Sequence, residues 1–225
     1  MQYLSQRLAS KPAREREGAP PAGTLAAQQR ERLLDAAEDL IGERGCAGTS
    51  IEAIVKVAHV SSVTFYEHFA DKEACFVAAF DRAVVETGVE LREPGEEGGE
   101  ADWPGRVRTA LAALVATVAA RPARARLCLV EAPGGGPALR VRYEATLDVA
   151  AAALRQGRLL DSAPRGLPDT VEEAAAGGIA WLLRQQLELD RANEVGELLP
   201  ELTEIALGPY LDEAEPGARA RADDV

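Results

Sequence analysis

Residues 49–69 read TSIEAIVKVAHVSSVTFYEHF, two short apolar-faced segments separated by a break at His59-Val60. Ser50 is placed to cap a helix whose Ile51, Ile54, Val55 and Ala58 recur on one face of a 3.6-residue period. The break needs a residue that tolerates left-handed backbone, which histidine does better than most non-glycine residues. Ser61 offers a second N-cap. In the short segment it opens, Phe65 and Phe69 supply an apolar side together with the preceding Val60, leaving Ser62, Val63, Thr64 and Tyr66 to face outward. Two short helices across a tight turn form the unit that lays its second helix in a major groove.

The flanks extend this reading. Upstream, RERLLDAAEDLIGERG (residues 30–45) predicts an amphipathic helix with Leu33, Ala37, Leu40 and Ile41 inside and Gly45 as its C-terminal stop. Downstream, Asp71 is placed to cap a helix that has Lys72 in its first turn and Phe76, Val77, Phe80 and Val84 as its stripe.

Together, the RERLLDAA opening, the ERG helix end, TS before the second helix, VSxxTFYEHF and the DKE that follows resemble the N-terminal domain of the TetR family of bacterial transcriptional regulators. The resemblance covers about 50 residues, from Arg30 to about Asp81. It implies an all-α fold, with an N-terminal three-helix helix-turn-helix domain joined to a C-terminal helical ligand-binding and dimerisation domain. The expected division is a disordered leader 1–24, a DNA-binding domain 25–70, a connecting helix 71–92, a ligand-binding and dimerisation domain 93–212 and a disordered tail 213–225. The resemblance further implies a DNA face made of Thr49, Ser50, Ser61, Ser62, Val63, Thr64, Tyr66, His68 and Lys72. Tyr66 and His68 have packing roles as their alternatives. Many family members carry Arg or Lys where this chain has Glu52, and again where it has Ser62 and Val63. Base reading would then fall to Ser62 by hydrogen bonding and Val63 by apolar contact, without the arginine–guanine pair that is the commonest specific contact.

Charge sharpens that departure. The chain carries −12 overall, and residues 25–80 hold five cations against nine anions. A general nucleic-acid coat is excluded. Phosphate contacts would rest on helix N-termini and Lys72. The leader, with Arg7, Lys11, Arg14 and Arg16 against Glu15 and Glu17, is either a solvated tail or a minor-groove arm.

Beyond residue 93 an acidic, glycine-rich loop precedes four further helical stretches. These carry Val107-Leu111-Leu114-Val115-Val118, a short segment around 123–131, Leu139-Tyr143-Leu147-Ala150-Leu154 and Val171-Ala175-Gly178-Ile179-Leu182. LLPELTEIALGPYL then adds a last helix. PGGGP (133–137) lacks the strand and lysine of a phosphate loop and reads as a turn. By resemblance the last two helices form a homodimer interface, to which the small residues of AAAGG (174–178) are suited. The middle helices would enclose a small-molecule effector, with Trp103, Arg126, Cys128, Glu131, Tyr143 and Trp181 as candidate ligand contacts.

Other function classes find little support. No apolar run reaches the ~18 residues of a membrane span, and no export signal stands at the N-terminus. Three scattered cysteines, Cys46, Cys75 and Cys128, fit a reducing cytoplasm as small buried apolar residues, with redox sensing as the alternative. GxSxG, HExxH and CxxC are absent, and Glu96-Glu97 and Glu172-Glu173 read as solvated faces. No catalytic residue, metal or cofactor is expected. The expected partners are a near-palindromic DNA operator, an unidentified small molecule and a second copy of the chain. The rival is a dimeric all-α scaffold of the same fold acting through protein contacts.

Overall fold

The computed structural model describes residues 25–91 and 102–211; the expected leader, the acidic loop at 93–101 and the tail beyond 212 lie outside them. Among the described residues all regular structure is helical: α1 Leu25–Gly48, α2 Ile51–Ala58, α3 Ser62–His68, α4 Lys72–Glu90 and α5 Trp103–Ala120 come first. They are followed by α6 Pro122–Arg126, α7 Pro137–Leu154, α8 Val171–Glu188 and α9 Leu199–Leu207. A π-helical turn, Leu127–Glu131, continues α6, and 3-10 turns occupy Arg155–Leu159 and Ala192–Leu198.

The chain forms two compact units. The first takes residues up to Val84 together with Ala123–Ala145; the second takes Val85–Pro122 and the chain from Thr146 onward. In the first unit α1 packs on α2, α3 and the π turn. Its core holds Leu33, Leu34, Ala37, Leu40 and Ile41 of α1, Ile54 and Val55 of α2, Phe65 of α3, and Phe76 and Phe80 of α4, with Leu127 and Leu139 from the later segment. The expected stripes of α1 and α2 are therefore the buried ones, except that Ile51 at the start of α2 is only partly covered. In α4 the inner row is Cys75, Phe76, Ala79, Phe80 and Ala83, with Val77 and Val84 only partly covered.

An ionic network ties this unit together at its rim. Arg82 of α4 donates to Glu31 (3.0 Å), Asp35 (2.7 Å) and Glu38 (3.2 Å) of α1. Glu38, buried, also accepts from Arg124 of α6 at 3.0 Å. Beside this network α1 and α6 approach so closely that a Cβ on Gly42 would stand 2.6 Å from both Cα and Cβ of Ala123. Backbone cannot swing aside as a side-chain tip can, so Gly42→Ala is expected to destabilise the protein by about 1–3 kcal/mol. Urea denaturation of the two proteins checks this; equal midpoints would contradict it.

The second unit contains α5, α8 and α9, with the 192–198 turn packed on all three. Asp102 caps α5 by accepting from Gly105 N at 2.8 Å. The inner row of α5 is Leu111, Val115 and Val118, with Val107 and Leu114 half-buried. In α8 the expected stripe is turned: Ala175, Ala176, Ile179, Ala180, Leu183 and Leu187 are inside, while Val171, Gly178 and Leu182 are not fully buried.

Glu172 overturns its expected solvated position. Its side chain is fully buried, accepts from Arg158 Nε (2.6 Å) and Nη2 (2.9 Å), and accepts from the Tyr210 hydroxyl at 2.7 Å. Arg158 also bonds the carbonyls of Leu167 and Pro168, which fastens the α7–α8 linker to the same point. The Tyr210 ring stands edge-on to Trp103, 5.1 Å between centroids. The Trp103 indole N–H donates to Ala153 O at 3.3 Å.

Candidate nucleic-acid interface

The α2–α3 hairpin is built by local hydrogen bonds that its sequence dictates. Ser50 and Ser61, both in extended backbone, accept from Ala53 N (3.2 Å) and Thr64 N (3.1 Å), satisfying amides that no helical carbonyl reaches. Between the helices His59 takes the left-handed conformation, φ 53 and ψ 46. Its N–H bonds Lys56 O and the N–H of Val60 bonds Val55 O, the paired closure of a Schellman motif with Val60 as its apolar follower. Asp71 Oδ1 accepts from Ala74 N at 2.8 Å and opens α4.

This geometry sorts the side chains of α3. Phe65 is fully buried and Phe69 nearly so, their rings 5.6 Å apart. Ser62 is exposed, Val63 keeps 70% of its surface and Tyr66 59%, with the Tyr66 ring edge-on to Phe65 at 5.5 Å, so a helix of seven residues presents three exposed side chains on one side. Neither the Ser62 nor the Tyr66 hydroxyl makes a hydrogen bond among the described residues. Thr64 is half-buried, and its hydroxyl is shared with Ser61 at 3.0 Å.

The other residues assigned to the face are placed differently. Thr49 is buried, its hydroxyl donating to Gly45 O at 2.8 Å, so it secures the α1–α2 joint and offers no free polar group. Lys72 Nζ donates to the carbonyls of Cys46 (3.2 Å) and Thr49 (3.0 Å) and lies 5.5 Å from the Phe76 ring centroid. Of its three N–H groups one remains for an outside acceptor. His68 is half-buried, and its Nε2 is enclosed without a hydrogen-bond partner. Burial, and then the Arg30 cation, hold the His68 imidazole below its ordinary value, with Glu67 opposing. That is the packing alternative, and it leaves the ring neutral at pH 7. Arg30 itself lies 5.5 Å from the Phe69 ring centroid, a cation beside α3 that helical periodicity on α1 does not reveal.

The six candidate effector contacts divide between the units. Arg126, Cys128, Glu131 and Tyr143 belong to the first, Trp103 and Trp181 to the second. Trp103 is buried and bonded internally. Glu131 Oε2 accepts from Cys46 N at 2.7 Å. Trp181 is 55% exposed on the outer side of α8. Burial pushes the thiols of Cys46, Cys75 and Cys128 up to about 12, which removes the thiolate that redox sensing would use.

Residues 33–79 match the model of bacterial regulatory proteins of the tetR family. The chain is 32% identical over 79 residues to the HTH-type transcriptional regulator EthR of Mycobacterium tuberculosis, an alignment covering 35% of this chain and 37% of that protein. Among solved structures the fold is similar to the fatty acid degradation regulator FadR of Bacillus halodurans, with a TM-score of 0.70 at 18% identity over 80% of this chain and 95% of that one. It is also similar to FadR of Bacillus subtilis, determined in complex with stearoyl-CoA (TM-score 0.69, 18% identity, 80% and 98% covered). The ketosteroid transcriptional regulator KstR2 of Mycobacterium tuberculosis matches with a TM-score of 0.59 at 19% identity, over 82% of this chain and 96% of that one. Residues 33–79 thus carry the N-terminal domain of the tetR family of bacterial regulatory proteins, and the helical fold of the chain is similar to that of these solved regulators.

Proposed function

We propose that this chain is a ligand-responsive transcriptional repressor, which binds a near-palindromic DNA operator as a homodimer and is released by a small molecule. The observation that carries the reading is the outer face of α3, where Ser62, Val63 and Tyr66 stand clear of a helix anchored by Phe65 and Phe69. Ser62 and Val63 read base edges, Val63 through a thymine methyl. Tyr66 and the remaining N–H of Lys72 contact phosphate and set register without reading sequence.

The dimer rests on α8. Ala174 and Trp181 are exposed, and a Cβ on Gly177 or Gly178 would meet nothing within 4 Å. These positions recur at helical spacing, giving a flat strip with one large aromatic that an identical strip can cover. The effector reading follows the neighbours: a molecule with a long apolar portion, such as the acyl-CoA held by the Bacillus subtilis protein, heads the compounds to screen. A 100-fold loss of operator affinity on effector binding needs about 2.7 kcal/mol of coupling.

Selection of bound duplexes from a random pool tests the division of labour on α3. Val63→Ala and Ser62→Ala are expected to change which sequences are enriched. Tyr66→Phe is expected to keep the same sequences and weaken all of them several-fold, the loss of about 1 kcal/mol per hydrogen bond. Identical enrichment for wild type and the Val63 and Ser62 variants would show that α3 does not read bases. The absence of Lys and Arg from α3 favours one other reading, a scaffold of the same fold, which gains if the wild type enriches nothing at low salt.

A further inference from the structure

The peptide unit around Cys46 is held from two directions by side chains distant in sequence. Its N–H donates to Glu131 Oε2 at 2.7 Å, and the Cys46 carbonyl accepts from Lys72 Nζ at 3.2 Å. Lys72 also holds the Thr49 carbonyl, and the Thr49 hydroxyl closes back on Gly45 O. These bonds enclose the point where α1 loses helical backbone, Gly45 at φ 73 and ψ 169, a few residues before Ser50 caps α2. Contact there is close: a Cβ on Gly45 would stand 3.0 Å from Glu131 Oε2, and one on Gly136 3.0 Å from Glu73 Oε1.

The heading of α2, and with it the α3 surface, is set by the direction in which the chain leaves Gly45. A left-handed glycine leaves that direction soft on its own. We propose that Glu131 is a positioning residue for DNA binding, fixing the pose of the α2–α3 hairpin through the Cys46 N–H and making the 127–136 segment a control point for operator affinity. The inference rests on the DNA-binding reading above. Glu131 ends a π-helical turn, and return of that turn to α-helical register by one residue rotates its side chain by about 100°. Such a change withdraws the carboxylate from the Cys46 N–H.

Charge separates positioning from simple electrostatics. Glu131→Ala and Glu131→Gln each delete an anion, which by Coulomb attraction alone strengthens DNA binding. Positioning predicts a split: the amide oxygen of Gln still accepts from Cys46 N, while Ala cannot. The experiment uses the full chain and the duplex best enriched by the wild type, with hydrogen exchange read over residues 44–50. Glu131→Ala is expected to exchange at least tenfold faster at Cys46 and to bind about tenfold more weakly, while Glu131→Gln stays within about threefold of wild type in both. Unchanged exchange at Cys46 in Glu131→Ala overturns the hold. Faster exchange with undiminished DNA affinity overturns the positioning role. A wild type that enriches no duplex sinks the DNA reading itself, a failure visible before any variant is compared.

Discussion

Trp181→Glu is expected to turn the proposed dimer into monomers and to lower operator affinity by at least 100-fold. Trp181 is 55% exposed beside two glycines whose outward side is open, so its own subunit contributes little to its burial. Two-fold symmetry places the substitution in the interface twice. An ionised carboxylate enclosed without a partner costs several kcal/mol, and here there are two of the same sign. Operator affinity falls with the dimer because the second head no longer binds at the effective concentration imposed by the first, a factor of about 10²–10⁴. Sedimentation velocity and fluorescence anisotropy on an operator duplex read both effects, and far-UV circular dichroism should stay that of the wild type. A variant that still sediments as a dimer would place the interface on another face.

Glu172→Ala is expected to cost the second unit about 3 kcal/mol. The substitution strands the buried Tyr210 hydroxyl and removes charge-assisted bonds from Arg158, effects of about 1–3 kcal/mol each. Acid should erase the difference, and the sign follows from the linkage. The Arg158 hydrogen bonds, with help from the Tyr210 hydroxyl and against the effect of burial, hold the Glu172 carboxyl at about 2, below its ordinary 4.5. A depressed folded-state value means stability that is fully present above pH 4.5 and lost as pH falls toward 2. Urea denaturation at pH 7 and pH 3 should therefore show a wide gap between wild type and Glu172→Ala at the first and a narrower one at the second. A gap independent of pH would mean that packing, not the ion pair, holds Tyr210.

The hairpin was legible in the sequence because each of its features is local. Ser50, His59, Ser61 and Asp71 act within three or four residues of themselves, so caps and turn follow from residue type and spacing. The inner stripes of α1 and α2 were legible for the same reason. Contacts between distant segments were not. Glu131 to Cys46 spans 85 residues and Arg124 to Glu38 spans 86, and nothing in either neighbourhood announces the partner. Glu172 was misread because adjacent glutamates are usually solvated, whereas here Arg158 and Tyr210 arrive from separate segments to enclose one of them. In α8 alanines and glycines fill both sides, so periodicity could not tell the inner Ala175 and Ala176 from the open Gly177 and Gly178. Trp181, one of the candidate effector contacts, is 55% exposed.

The charge deficit of the DNA-binding head also takes definite form. Lys72, the one lysine assigned to the face, spends two of its three N–H groups on the chain itself, and α3 adds no lysine or arginine. Few phosphates are then neutralised, so affinity should fall only gently with salt, at about 0.9 log units per phosphate for each tenfold rise. Under the proposed function, specificity comes from the fit of Ser62 and Val63 and from the pairing of two heads.

The most direct test is to capture genomic fragments on the purified full-length protein at low salt and footprint those retained. The expected result is a near-palindromic site protected in two major grooves, about one helical turn apart or a multiple of it. Retention of no fragment, or of fragments without a common sequence, would contradict it.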